Sequence, residues 1–272
     1  MKKHYTSIIS NGFGAFASKE FSKPIQKVIN HGYVKLMGLN MSDFNNPSEY
    51  KTLNKLFTRS IQNNPREIAD DKNMMISPVD ALVSDFGKIV EGKAYQIKGM
   101  SYDIKELFGE YHESATIDVD GGQFANFYLS PKDYHRYHMP QTLKIISLTH
   151  IPGKLYPVNF PLLRNKKNLF IENERVIIEG KDSNDKTFVM VLVGALNVGK
   201  MVITFEDKIN TNSDIREPQH YKYENLTLEK GELFGWFEMG STILLFSPKD
   251  CYTPKLNINQ NVKFTEDIGR LS

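Results

Sequence analysis

Three stretches combine reactive side chains with tight backbone geometry. Gly240-Ser241 sits inside KGELFGWFEMGSTILLFSP (230–248), just before the strand-like run Thr242 to Phe246. A serine there is either a turn residue or a hydroxyl able to attack the carbonyl before it, where a glycine leaves the approach open. The second stretch, SPKDYHRYHMP (130–140), places His135 and His138 three residues apart. Histidine titrates near neutrality, so the pair suits proton transfer. The third is Ser77-Pro78-Val79-Asp80-Ala81, an aspartate after a proline turn. Asp80, one histidine and Ser241 form a coherent acid–base–nucleophile set. The Gly-x-Ser-x-Gly elbow of ordinary serine hydrolases is absent. The histidines with Asp80 could supply metal ligands, but there is no HExxH and no cysteine pair, and the reading is that no metal is bound.

Elements must carry these residues. Residues 23–37 read as an amphipathic helix, with Ser22 as cap and Pro24 in its first turn. Ile25, Val28, Ile29, Tyr33, Leu36 and Met37 fall on one stripe. That stripe either packs on the body or, with Phe13, Phe16, Phe21 and nearby lysines, lies in a membrane interface. A second helix is expected from Asn46-Pro47, pointing Tyr50, Leu53, Phe57 and Ile61 inward and ending at Asn63-Asn64-Pro65. From about residue 70 the period becomes strand-like, with apolar runs at 81–83, 143–148, 176–178, 188–193, 202–205 and 243–246. Tyr102 to Phe108 carries the main helical signal of that half, and 207–222 reads as a polar surface loop. The expectation is a mostly β (α+β) protein, with a helical region over 1–65 and a β-rich catalytic domain over 66–272.

Composition narrows the class. The 272 residues are 40% hydrophobic and 24% charged, enough for a packed core. The net charge of +2 is too small to argue for nucleic acid. Cys251 is the only cysteine, so no intrachain disulfide can form. No apolar run approaches the ~20 residues of a membrane span. Lys2-Lys3 and Ala15-Phe16-Ala17 imitate a signal peptide, but the intervening Ser7, Ser10 and Asn11 are too polar for its apolar centre.

Taken together, the blocks resemble the phosphatidylserine decarboxylases, the pyruvoyl-dependent enzymes that make phosphatidylethanolamine. The resemblance runs through Phe57-Thr58-Arg59, Ser77 to Asp80, Lys98-Gly99, Ser130 to Pro140, Gly153-Lys154-Leu155 with Pro157-Val158, Asn173-Glu174-Arg175, Val193-Gly194-Ala195 with Val198-Gly199, and Gly231 to Ser247. The chain departs from the family at Met239, where leucine is usual, and at Ala81, where glycine is usual. The second departure would strain the turn if that position needed a positive φ.

The resemblance implies a precursor that cuts itself between Gly240 and Ser241, giving chains 1–240 and 241–272. Asp80 would orient His138, His138 would take the Ser241 proton, and Ser241 would end as an N-terminal pyruvoyl group that forms a Schiff base with the substrate amine. His135 would serve decarboxylation. It also implies a lipoyl-like β-barrel-sandwich body, a heterodimer of the two products that pairs into a homodimer, and a peripheral place on the cytoplasmic face of the cell membrane, where the partners are phosphatidylserine and the phospholipid surface, with no nucleic acid. Two other classes use the same residues: a serine or metal-dependent hydrolase, and a non-enzymatic lipoyl-like membrane-binding module in which Ser241 is only a turn.

Overall fold

The computed structural model describes residues 5–63, 65–95, 101–158, 166, 168–196, 200–238 and 242–272, without the side chains of 5–11 and 95. Met239, Gly240 and Ser241 lie outside the described residues, as do Asn64, Lys98-Gly99 and Val198-Gly199.

The chain begins with α1 (Tyr5–Ser18), α2 (Lys23–Met37) and, after a 3-10 turn at Pro47–Glu49, α3 (Leu53–Phe57). The strands follow: β1 (Met74–Ile76), β2 (Ala81–Val90), β3 (Lys93–Tyr95), β4 (Ser101–Asp103), β5 (Gln123–Tyr128), β6 (Arg136–His138), β7 (Leu143–Ile151), β8 (Arg175–Lys181), β9 (Thr187–Val193), β10 (Met201–Ile203), β11 (Gln219–Leu228), β12 (Leu233–Phe237), β13 (Thr242–Ser247), β14 (Tyr252–Pro254), β15 (Asn261–Val262) and β16 (Asp267–Leu271). Among the described residues three α-helices interrupt them, α4 (Ile104–Phe108), α5 (Glu113–Asp118) and α6 (Leu169–Glu172). The fold is mostly β, in the α+β class.

The main sheet runs β11-β7-β8-β9-β13-β5-β2-β3-β4, with β15 also on β2. Its pairs are antiparallel. The central strands are apolar without a break because both faces are covered. Successive side chains point to opposite faces. In β13, Ile243 and Leu245 enter one core while Leu244 and Phe246 enter the other. β9 divides the same way, with Phe188, Met190 and Leu192 opposite Val189, Val191 and Val193. Residues of α4, α5 and α6 cover one face. On the other lies the small sheet β10-β12-β6, through Met201, Ile203, Phe234, Phe237 and Tyr137. The edge strand β11 is half-buried, with Tyr221, Tyr223 and Leu226 packed against the core.

Several elements differ from the sequence reading. The helix expected after Asn46-Pro47 is broken into the 3-10 turn and α3, since Tyr50 is extended and Thr52 starts a new cap on Lys55 N. Ser22 makes no side-chain cap, although Pro24 stands in the first turn as expected. Residues 219–222 of the supposed loop belong to β11. Ala81 opens β2 and is not among the residues with positive φ, so its methyl strains nothing.

For α2 the sequence left two directions open for the apolar stripe. The inward residues of the helix are Gln26, Asn30 and Tyr33. Gln26 Nε2 donates to Asn30 Oδ1 at 2.8 Å, and Asn30 Nδ2 donates to the carbonyls of Pro47 and Tyr50 at 2.8 and 2.9 Å. Most of the apolar stripe faces outward instead. Ile25 is 53% exposed, Val28 73% and Leu36 78%. A polar anchor therefore fixes the helix and leaves its hydrophobic side uncovered.

Candidate active site

One end of the main sheet gathers the expected functional segments. Leu82 of β2, two residues after Asp80, lies opposite Tyr128 at the end of β5. Tyr128 faces Thr242 at the start of β13, and Thr242 faces Val193 at the end of β9. From Tyr128 the chain runs directly into the histidine loop. β6 then pairs with β12, placing Leu233 opposite His138 and Trp236 opposite Arg136. Phe237 N donates to His135 O at 2.9 Å. The described residues before Gly240-Ser241 thus pair with the segment that carries both histidines, and those after it pair with the strand that leads into that segment.

β6 is a strand, not a helix, so His135 and His138 look in different directions. His138 is 8% exposed. Its Nδ1 lies 2.9 Å from the Gly231 carbonyl, which can only accept, so Nδ1 carries the proton. Nε2 is then the basic nitrogen, and Tyr134 O–H donates to it at 3.0 Å. Burial pulls the His138 pKa down to about 4, with Arg136 and Arg66 adding to the fall and the Gly231 hydrogen bond and Asp80 opposing it. His138 is a neutral base at pH 7.

His135 is fully buried, with its ring centroid 4.0 Å from that of Phe57. Its Nδ1 donates to the Asp133 carbonyl at 2.9 Å, and its Nε2 has no partner among the described residues. Burial pulls its pKa down to about 3, aided by the charge of Arg59. Arg59 meets His135 on the same carbonyl: its Nη2 donates to Lys132 O at 2.9 Å and to Asp133 O at 3.2 Å. Tyr33 of α2 donates to Pro131 O, and Arg136 Nε donates to Thr58 O. The helical layer therefore holds the histidine loop by the carbonyls of residues 131–133, and Arg136 of the loop holds the layer by the Thr58 carbonyl.

Asp80 serves a different set of atoms from those expected. Its carboxylate takes both arms of Arg66, Nη2 at 2.9 Å and Nη1 closer, and accepts from Phe264 N at 2.8 Å. Arg66 also pairs with Asp43 at 3.1 Å. The Phe264 ring stacks on His138. Asp80 acts on His138 through its charge and through Phe264, while the Nδ1 proton belongs to Gly231. Sequence reasoning singled out Asp80, His135 and His138 as candidates. It missed Arg66, Phe264, Gly231 as the Nδ1 partner and Tyr134 as the Nε2 partner. Only Gly231 carried a local signal, as a glycine punctuating an apolar segment. Among the described residues no three His, Cys, Asp or Glu side chains are grouped to hold a metal.

Residues 53–270 match the phosphatidylserine decarboxylase family. The chain is 44% identical over 262 residues to a phosphatidylserine decarboxylase proenzyme of Campylobacter jejuni, covering 94% of this chain and 96% of that one. It is 42% identical over 265 residues to the proenzyme of the same name from Helicobacter pylori (strain ATCC 700392 / 26695), covering 97% of each. A Nitrosococcus oceani proenzyme of that name is 36% identical over 246 residues, covering 88% of this chain and 79% of the relative. With the histidine loop, Asp80 and the start of β13 brought to one sheet end, and relatives similar along nearly the whole chain, this protein belongs to the phosphatidylserine decarboxylase family.

Proposed function

We propose that this chain is a self-processing phosphatidylserine decarboxylase that releases carbon dioxide from phosphatidylserine to leave phosphatidylethanolamine. The observation that carries the reading is His138, held neutral with one defined basic nitrogen, on a strand bonded to the segment leading into Gly240-Ser241. In self-cleavage His138 takes the Ser241 hydroxyl proton at Nε2, the freed oxygen adds to the Gly240 carbonyl, and the proton passes to the departing Ser241 nitrogen, so that an ester replaces the peptide bond. Loss of the Ser241 α-proton then breaks the ester and releases Gly240 as the new C-terminal carboxylate. Hydrolysis of the resulting dehydroalanine releases its nitrogen as ammonia and leaves the pyruvoyl group.

The surroundings fit such a group. His135 Nε2 and Thr242 Oγ1 are buried without partners among the described residues, so polar capacity remains for a ligand. The pyruvoyl group supplies a ketone that condenses with the substrate amine and draws electrons as carbon dioxide leaves. His135, whose Nδ1 proton is committed to Asp133, has Nε2 free to hold or return a proton. Burial of this end of the sheet keeps water from competing. β13 lies hydrogen-bonded between β5 and β9, which supports two cleavage products that stay together.

The lipid substrate gives the outward face of α2 a purpose. Ile25, Val28 and Leu36 are exposed beside Lys19, Lys23, Lys27 and Lys35. Apolar side chains flanked by cations suit the surface of an anionic bilayer. No helix among the described residues is long and apolar enough to cross a membrane. Peripheral binding at the cytoplasmic face of the cell membrane, pairing into a homodimer and a lipoyl-like arrangement of the strands complete the reading. The antiparallel ladder around β13 and the small sheet packed on it support that arrangement.

The deciding experiment is the denatured intact mass of the purified chain beside Ser241→Ala. Two fragments meeting at Gly240 and Ser241, the smaller blocked by a pyruvoyl, are expected from wild type, and one intact chain from the variant. Carbon dioxide release from phosphatidylserine vesicles should follow the cut form. A folded wild-type chain that stays whole and releases none would refute the reading.

A further inference from the structure

Resting on the reading above, which gives His135 to decarboxylation, we propose that Arg59 is a positioning residue for that step. By gripping the carbonyls of Lys132 and Asp133 it fixes His135 with the proton on Nδ1 and leaves Nε2 free.

Packing alone does not explain Arg59. The side chain is 2% exposed and forms no ion pair among the described residues. Its Nε and Nη1 are buried there without hydrogen-bond partners. A buried cation with unused donors is less stable than an apolar side chain of similar size in its place. The Phe44 ring, 4.4 Å from the guanidinium carbon, offsets part of that cost. The hydrogen bonds that Arg59 does make all go to one place. Its Nη2 donates to Lys132 O at 2.9 Å and to Asp133 O at 3.2 Å.

Asp133 O is also the acceptor for His135 Nδ1–H, at 2.9 Å. A carbonyl oxygen has two lone pairs and takes both donors. The direction of that carbonyl sets where Nδ1–H must aim, and Nε2 lies across the ring from it. A neutral imidazole carries one proton, so holding it on Nδ1 makes Nε2 the lone pair. A peptide free to turn would let the proton move to Nε2 and remove that lone pair. The same short segment holds the ring itself: Phe57, two positions before Arg59, packs on His135 with ring centroids 4.0 Å apart. The guanidinium charge works in the same sense. It adds to the effect of burial in pulling the His135 pKa down to about 3, so a proton that reaches Nε2 is readily given up again. His138 depends on other groups, the Gly231 carbonyl at Nδ1 and Tyr134 at Nε2, and Arg59 hydrogen-bonds to neither.

The test measures carbon dioxide release per cut chain from phosphatidylserine in detergent micelles, for wild type, Arg59→Met, Arg59→Lys and His135→Gln. Methionine removes the charge and the donors. Lysine keeps the charge without the planar fork. Both Arg59 variants should lower kcat about tenfold or more with little change in KM, because a misplaced ring slows the step without touching lipid binding. In the uncut Ser241→Ala background at neutral pH, nitrogen NMR should show His135 protonated on Nδ1 alone. Adding either Arg59 variant should give a mixture of tautomers while the His138 signals stay in place. A wild-type kcat in either variant overturns the proposal. So does a lost kcat with an unchanged His135 spectrum, or with both histidines displaced together as general loosening would do. If Arg59→Met does not fold, Arg59→Lys is judged by the same outcomes. A mixed or Nε2-protonated His135 in the Ser241→Ala background itself also overturns it. An undiminished kcat in His135→Gln, or a wild type that never cuts, refutes the underlying reading instead.

Discussion

Phe264 lies nearly parallel to His138, with ring centroids 3.7 Å apart and planes 16° from parallel, and its backbone N–H is held by Asp80. The aspartate thus supports the base by building the surface it rests on. Asp80→Asn keeps an oxygen for Phe264 N but removes the charge that Arg66 faces. Breaking a largely buried pair while leaving its cation behind costs about 3 kcal/mol. We expect a lower urea midpoint and slower self-cleavage, read from the uncut fraction over time. Arg66 still has Asp43 at 3.1 Å, so adding Asp43→Asn, which removes the second carboxylate as well, should lower the midpoint further. If the double variant is as stable as Asp80→Asn, the two carboxylates do not share the cation this way.

Acid should unfold this protein through its histidines. His138 and His135 have pKa values pulled down to about 4 and about 3 by burial, against about 6.5 when unfolded. Between these limits the unfolded chain binds protons that the folded chain refuses. The stability is fully present above pH 6.5 and is lost as pH falls, by up to about 1.4 kcal/mol per unit for each histidine. His138 contributes down to about pH 4 and His135 to about pH 3. Urea midpoints of Ser241→Ala between pH 7.5 and 5 should show this slope, and adding His138→Gln should make it shallower. Equal slopes would contradict the assignment.

Gly231 has φ +81, and a Cβ there would fall 2.1 Å from Ile68 Cδ1. Its carbonyl is the one that fixes the His138 tautomer. Gly231→Ala should cost about 1–3 kcal/mol from the backbone alone and slow cleavage by displacing that carbonyl. Adding Ile68→Ala relieves the clash but not the φ strain, so it should restore only part of the midpoint. Full restoration would show that the side-chain clash was the whole effect.

The uncovered face of α2 makes a separable prediction. Val28→Glu with Leu36→Glu should leave thermal stability within about 0.5 kcal/mol, because both sites are exposed surface positions. Sedimentation with anionic vesicles should fall at least tenfold, and activity on vesicles should fall with it, while self-cleavage continues. Unchanged sedimentation would remove α2 from the docking surface.

The candidate residues stood out in the sequence because short motifs carry them: Asp80 after its proline turn, and the histidines in one loop. The central strands were equally plain, since burial on both faces leaves unbroken apolar runs. What stayed hidden was long-range pairing. Nothing near Phe264 marks it as the floor under His138, which is 126 positions away in the chain. Arg66 follows a run of helix-stopping residues and looks like a loop cation until Asp43 and Asp80 converge on it. The α2 stripe left its direction open. Its period was right, but Asn30 found two carbonyls to satisfy, and that polar anchor decided which side faced inward.

The position of β13 has a consequence for the life history of the molecule. Its six residues, all buried, hydrogen-bond on both edges to strands that precede Gly240. An uncut chain that unfolds remains one molecule and can recover at a rate independent of dilution. A cut chain that unfolds becomes two, and its recovery turns second order in concentration. On the reading proposed above, folding must come first and cutting second, and the order cannot be run backwards by dilution from denaturant. The mature protein would owe its persistence to slow unfolding, and one excursion to the unfolded state at low concentration would be final.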